Sequence, residues 1–283
     1  MKSLTSWVLL LALSSSLHAA EADPVAIGRL LADNSKPEQE RQALIEKHPS
    51  LAAEILAAMG AETQVNTPQE YERIPWIWRV AVAAGKRDDG PEIVEILKVS
   101  LPREGEPLRD WQSVVIGGGI VNGIGLTGVA PRARLEELLH AENEDLLARC
   151  RWCVQEATAM ADNVKIKEGT RYDALRIIAM QPWEVCGTQL KNYLKPGTSE
   201  ELQAGAISGA LDVPEAAAFD AVLTHVMTYP PANRDLALDG ALRTKLGQKA
   251  VLLALLKGQV TTEALGPKRL KVLENAVSAA SVQ

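Results

Sequence analysis

Phenylalanine is all but missing from this chain. Phe219 is the only one, and all aromatics together make up 4% of the residues, although apolar types reach 47%. The core must therefore be aliphatic, and its Leu- and Ala-rich composition favours helix over sheet. Period-two alternation between turn signals is also absent, so no sheet is expected. Histidine is scarce. Beyond His18 only His48, His140 and His225 remain, and none has a second metal-type ligand at i+3 or i+4 on a shared helix face. Scattered His residues of this kind read as polar edge positions, although a triad or metal site could still assemble in space. Cys150, Cys153 and Cys186 are odd in number, which rules out a complete disulfide framework. The net charge of −6 and the lack of a basic stripe argue against nucleic acid as a partner.

A long apolar run is missing too. Residues 1–20 read as a signal peptide: Lys2 gives the positive start, Trp7 to Leu13 the apolar stretch, and Leu17-His-Ala-Ala20 the small-residue end. Cleavage is expected after Ala19 or Ala20. The stretch is shorter than the ~20 residues a spanning helix needs, and nothing later in the chain is apolar for long enough to span. A soluble, exported protein, periplasmic or secreted and without a transmembrane segment after signal removal, is the expectation.

Residues 21–66 read as a short helical N-terminal extension. Pro37 and Ser50 open its second and third helices, and a polar connector spans 62–70. Residues 67–283 form the repeat domain. Pro75 is tolerated only in a first turn, which places the start of the next helix near Arg73 or Ile74. Pro91 opens a helix through Leu101. Leu108 to Ile124 has helical spacing interrupted by Gly117-Gly-Gly119, and helices follow from Pro131 and from Asp145 to Met160. Each glycine costs roughly 1 kcal/mol of helix propensity, so the triplet calls for close packing or a kink.

After Arg171 the chain repeats itself. Arg171-Tyr-Asp-Ala174-Leu175-x-x-Ile178-Ala179 aligns with Gln203 to Leu211 and with Arg234 to Leu242, at offsets of 32 and 31 residues. Each copy is followed by a second apolar helical run. Such periods in an all-helical pattern predict an all-α fold of stacked helix pairs, a HEAT-like helical-repeat α-solenoid of armadillo type.

Ile74-Pro-Trp-Ile-Trp-Arg79, Trp111-Gln-Ser-Val-Val-Ile-Gly-Gly-Gly119 and the repeats after Arg171 resemble the HEAT-like segment of the large membrane-bound dehydrogenases of planctomycetes and verrucomicrobia. The resemblance covers about residues 71–262. In that family the segment lies between a propeller-type dehydrogenase domain and a c-type haem domain, neither of which is found in this sequence. The resemblance therefore implies a bacterial helical scaffold acting beside such an enzyme, and carries over no catalytic residue.

Cys150-Arg-Trp-Cys153 has the CxxC spacing of redox and haem-attachment sites, but Val154 stands where haem attachment needs His. The pair lies inside a predicted helix, on a stripe with Leu146, Leu147 and Ala157. Structural thiols, a labile disulfide and a metal site stay open in that order, and Cys186 reads as a structural thiol. Gly123-Ile-Gly-Leu-Thr-Gly128 matches GxGxxG formally, but no strand precedes it, so it reads as an inter-helix turn. Asp88-Asp89 and Glu136-Glu137 read as solvated carboxylates. Trp76 and Trp78 lie about 200° apart on a helix, so one packs inward and the other is left toward the surface. With Trp111 they are the candidate protein-binding residues, against the alternative that all three plug the junction with the N-terminal helices.

No catalytic, cofactor-binding or metal-binding residue is assigned from this pattern. The expected function is a non-catalytic exported scaffold that binds another envelope protein, for instance a dehydrogenase or cytochrome-type protein. The alternative is an accessory or electron-transfer-associated subunit of an envelope dehydrogenase. The leader gives the first prediction: the intact mass of exported protein should lack residues 1–19 or 1–20, and a mass that retains Met1 to Ala19 would refute export by cleavage.

Overall fold

The computed structural model describes residues 22–64, 67–140 and 144–280, and the signal-peptide expectation lies outside them. Helix is the only regular secondary structure among the described residues, which contain no strand. The N-terminal helices are α1 (Pro24–Ala32), α2 (Glu38–Lys47) and α3 (Ala52–Ala61). Then follow α4 (Pro68–Arg87), α5 (Gly90–Ser100) and α6 (Asp110–Ser113), which runs into a π-helical segment at Val114–Val121 and on into α7 (Asn122–Leu126). The chain continues with α8 (Pro131–His140), α9 (Glu144–Asp162), α10 (Glu168–Ile178), α11 (Trp183–Tyr193), α12 (Glu200–Asp212) and α13 (Ala216–Thr224). It ends with α14 (Pro231–Ala241), α15 (Lys245–Leu256) and α16 (Thr262–Ala280), the last broken at Gly266 with φ 68°.

α4 starts earlier than the sequence predicts. Thr67 caps it by accepting the Glu70 N–H at 3.3 Å, and Pro68 takes the first helical position, where its missing N–H costs nothing. Pro75 therefore sits inside the helix and has no N–H to give to the Tyr71 carbonyl four residues back. At its other end α4 closes on Asp88 in the left-handed region (φ 53°), where Arg134 holds the Asp88 carboxylate at 2.8 Å.

The three aligned copies become α10, α12 and α14, and their matching positions are buried throughout: Ala174, Leu175, Ile178 and Ala179; Ala206, Ile207, Ala210 and Leu211; Ala237, Leu238, Ala241 and Leu242. α10 packs on α12 and α12 on α14, while α11 packs on α13 and α13 on α15. The π segment lies between α4 and α10 and extends the first row. α1, α3 and α5 pack in sequence beside α4. The buried apolar side chains, from Ile27 to Leu273, form one continuous cluster that takes in the N-terminal helices.

The π segment, Val-Val-Ile-Gly-Gly-Gly-Ile-Val, is buried at every residue. A Cβ on Gly119 would collide with the Ala81 methyl, and one on Gly117 with the Asp173 carbonyl. Farther along, a Cβ on Gly123 would fall 2.7 Å from the Gly85 Cα. Backbone thus meets backbone along this seam. Dense contact there offsets the propensity that the glycines give up. Asp110–Leu126 is strongly apolar but buried inside the protein, and no single described helix is long and apolar enough to cross a membrane.

This seam sets the second prediction. Gly119→Ala should lower stability by roughly 1–3 kcal/mol, the usual cost of overpacking, and Ala81→Gly in the same chain should recover part of it. Chemical denaturation of the two single variants and the double variant checks this, and strictly additive effects would contradict the contact.

Candidate functional site

The three tryptophans have separate fates. Trp76 is 4% exposed, held between the guanidinium groups of Arg41 at 4.2 Å and Arg79 at 4.7 Å from its ring. Trp111 is 7% exposed and lies flat on Gly60, where a Cβ would stand 3.0 Å from the indole. Both belong to the packing between the N-terminal helices and the rest, so neither presents a surface to a partner. Trp78 is 39% exposed, as the 100° step of an α-helix requires once its neighbours Trp76 and Ile77 point inward.

Trp78 borders a cleft of about 590 Å³. Its lining includes Tyr71, Ile74 and Pro75 of α4 together with Val114 and Asn122. The first turns of α10 and α12 supply the far side through Glu168, Thr170, Tyr172, Asp173, Glu201 and Ala204, with Lys167 just before α10. The Tyr71 hydroxyl donates to Asp110, whose carboxylate also accepts from Thr170 Oγ1 at 3.4 Å. The Lys167 ammonium sits over the Tyr71 ring, 2.8 Å from its centroid. Glu201 reaches over the start of α10, with its Oε1 3.1 Å from where a Cβ on Gly169 would lie.

Asp173 is the chemically unusual member. It is 6% exposed and is pressed against the bare Cα of Gly118. Burial pushes its carboxyl well above the usual carboxylate range; Arg176 opposes the shift and Glu201 adds to it. Arg176 acts on Asp173 through its charge alone: one guanidinium nitrogen pairs with Asp212 on the neighbouring helix and its Nε is buried without a partner. Among the described residues the Asp173 carboxyl makes no hydrogen bond.

Cys150 and Cys153 stand apart from this cleft. Both are free thiols on α9; Cys150 is partly buried and Cys153 fully. Burial pushes the Cys150 thiol up to about 11 and the Cys153 thiol well up, so neither is activated as a thiolate. Cys186 is buried and also raised, to about 11. Gly123 and Gly125 lie inside α7, contrary to the turn expected there, and only the end of the stretch, with Gly128 at φ 85°, is an inter-helix turn. No group of three or more His, Cys, Asp or Glu side chains converges as a metal site among the described residues.

The sequence reading passed over Asp173 and Tyr172, which stand between the aligned Arg171 and Ala174 as repeat filler. The signal that pointed to them was indirect. A buried triple glycine demands a close neighbour, but nothing in the sequence identifies that neighbour as α10. Comparison with family models, curated proteins and solved structures finds no match to this chain, so the resemblance rests on the quoted motifs alone.

The third prediction concerns pH. The folded state holds a proton on Asp173 that the unfolded chain releases near pH 4. The stability this contributes is full below that pH and is lost as pH rises toward the higher folded value. Asp173→Asn cannot ionise, so its melting temperature should gain on the wild type as pH rises above about 4. Parallel melting curves for the two proteins across pH 4–8 would show that Asp173 is not protonated in the fold.

Proposed function

We propose that this protein is an exported, non-catalytic scaffold whose helix pairs stack as a HEAT-like solenoid and whose Trp78 cleft binds another envelope protein. Support for the stacking comes from the shared burial pattern of α10, α12 and α14 and the parallel row α11, α13 and α15. Stacked helix pairs expose long concave surfaces suited to an extended partner. The observation that carries the binding reading is Trp78 itself: a large aromatic left exposed beside a cleft, in a chain whose other candidate tryptophans are packed away. Export rests on the three-part leader and the envelope setting on the resemblance.

The same resemblance favours a second reading, an accessory subunit of an envelope dehydrogenase, which would dock through the same cleft. An absorption spectrum of the purified complex tells the two apart, since bound haem or flavin in the partner is directly visible.

The fourth prediction follows. Trp78→Ala should weaken capture of the partner from native envelope extract by about 30-fold, a hot-spot loss of about 2 kcal/mol. Its melting temperature should move less than that of a core variant such as Trp76→Ala, because Trp78 is already 39% exposed against 4% for Trp76. Undiminished capture with a lowered melting temperature would make Trp78 a packing residue and end the reading.

A further inference from the structure

We propose that the Trp78 cleft takes a lysine side chain presented by the partner, with Asp173 as the counter-ion of its ammonium group. This rests on the binding reading above and names the chemistry by which the cleft would recognise its partner.

Three observations lead there. The first is the bare carboxyl: Asp173 is more than nine-tenths buried, lines the cleft, and makes no hydrogen bond among the described residues. An acid that has lost most of its water and has no donor gains from a ligand that supplies the missing charge or proton. The cation whose charge acts on it, Arg176, is paired with Asp212.

The second is charge. Glu168 and Glu201 stand with Asp173 in the lining of the cleft, against the single cation Lys167, so the cavity favours a positive guest. The third is precedent within the cleft itself. The Lys167 ammonium lies on the Tyr71 ring, and its charge is felt by Asp110. That is an ammonium on an aromatic face within the field of an acid. Trp78 and Tyr172 line the same cleft as Asp173, so aromatic side chains and an acid are together available to a guest there. Shape narrows the choice to lysine. Ile74, Pro75, Val114 and Ala204 give the cleft that Asp173 lines an apolar surface, which suits a slender four-carbon stem with a charge at its tip. Arrival of the ammonium lets Asp173 ionise, because the ion pair then offsets the burial that keeps the free acid neutral.

The test uses the full mature chain and two acetylated, amidated glycine pentapeptides, one with a central lysine and one with a central norleucine. Binding is followed through the indole N–H of Trp78 in nuclear magnetic resonance spectra, assigned with Trp78→Phe. The lysine peptide should shift this signal at concentrations at least tenfold below those the norleucine peptide needs, and Asp173→Asn should erase the difference. If Asp173→Asn does not fold, Glu201→Gln should narrow the preference several-fold. Equal binding of the two peptides, or no shift with the lysine peptide, overturns the proposal. So does a lysine preference that survives the loss of Asp173. If these fail while Trp78→Ala still loses the partner, only the lysine assignment falls. If the lysine preference holds while Trp78→Ala captures the partner normally, the scaffold reading falls instead.

Discussion

The close approach of the glycine-rich π segment to α4 on one side and α10 on the other is the contact on which the rest of the structure depends. Gly117, Gly118 and Gly119 remove three side chains from one turn, and the space they vacate is filled by Asp173, Ile177 and Ala81. Gly85 and Gly123 continue the seam toward α7. A residue with a Cβ at any of these positions would push two rows of helices apart. The glycines are weak helix formers, so tertiary packing rather than local propensity keeps this segment wound.

The same closeness drives charged groups into the interior. Arg176 and Asp212 form an ion pair between α10 and α12, both nearly inaccessible to water. Asp212 also abuts Gly125, whose carbonyl accepts from Arg243 at 3.2 Å, and Asn233 reaches from α14 to Gln203 on α12 at 2.9 Å. Such pairs add little net stability over apolar packing, because desolvation consumes most of the attraction. They do punish misalignment, since a one-step slip of α12 along α10 would leave buried charge unpaired. The inner row therefore has a fixed register, and the first turns of α10 and α12 meet α4 at a fixed place.

The cleft follows from that register. α4 brings Tyr71 and Trp78, the repeats bring Tyr172, Asp173 and Glu201, and no single segment holds the site. Pro75, out of place by sequence logic because it interrupts α4, lies in the wall of this same cleft. Local departures from regular patterning tend to gather where a protein does its work, and the segment from Ile74 to Gly119 departs most from the Ala- and Leu-based repeats.

The sequence by itself determined the helical class, since aliphatic composition and 3.6-residue periodicity leave no room for a sheet. It also determined the register of α10, α12 and α14, because the aligned small and apolar positions can be buried only on one face. The opposite orientations of Trp76 and Trp78 follow from the helical step alone. Tertiary structure decided which tryptophan faces inward, because that depends on where Arg41 of α2 lies. It carried the start of α4 back to Pro68, where the Thr67 cap and its hydrogen bond outweigh the cost of an interior proline. It alone made Asp173 a buried acid rather than a solvated one. A carboxylate's environment is set by what packs over it, and the glycines that cover Asp173 lie more than fifty residues away in the chain.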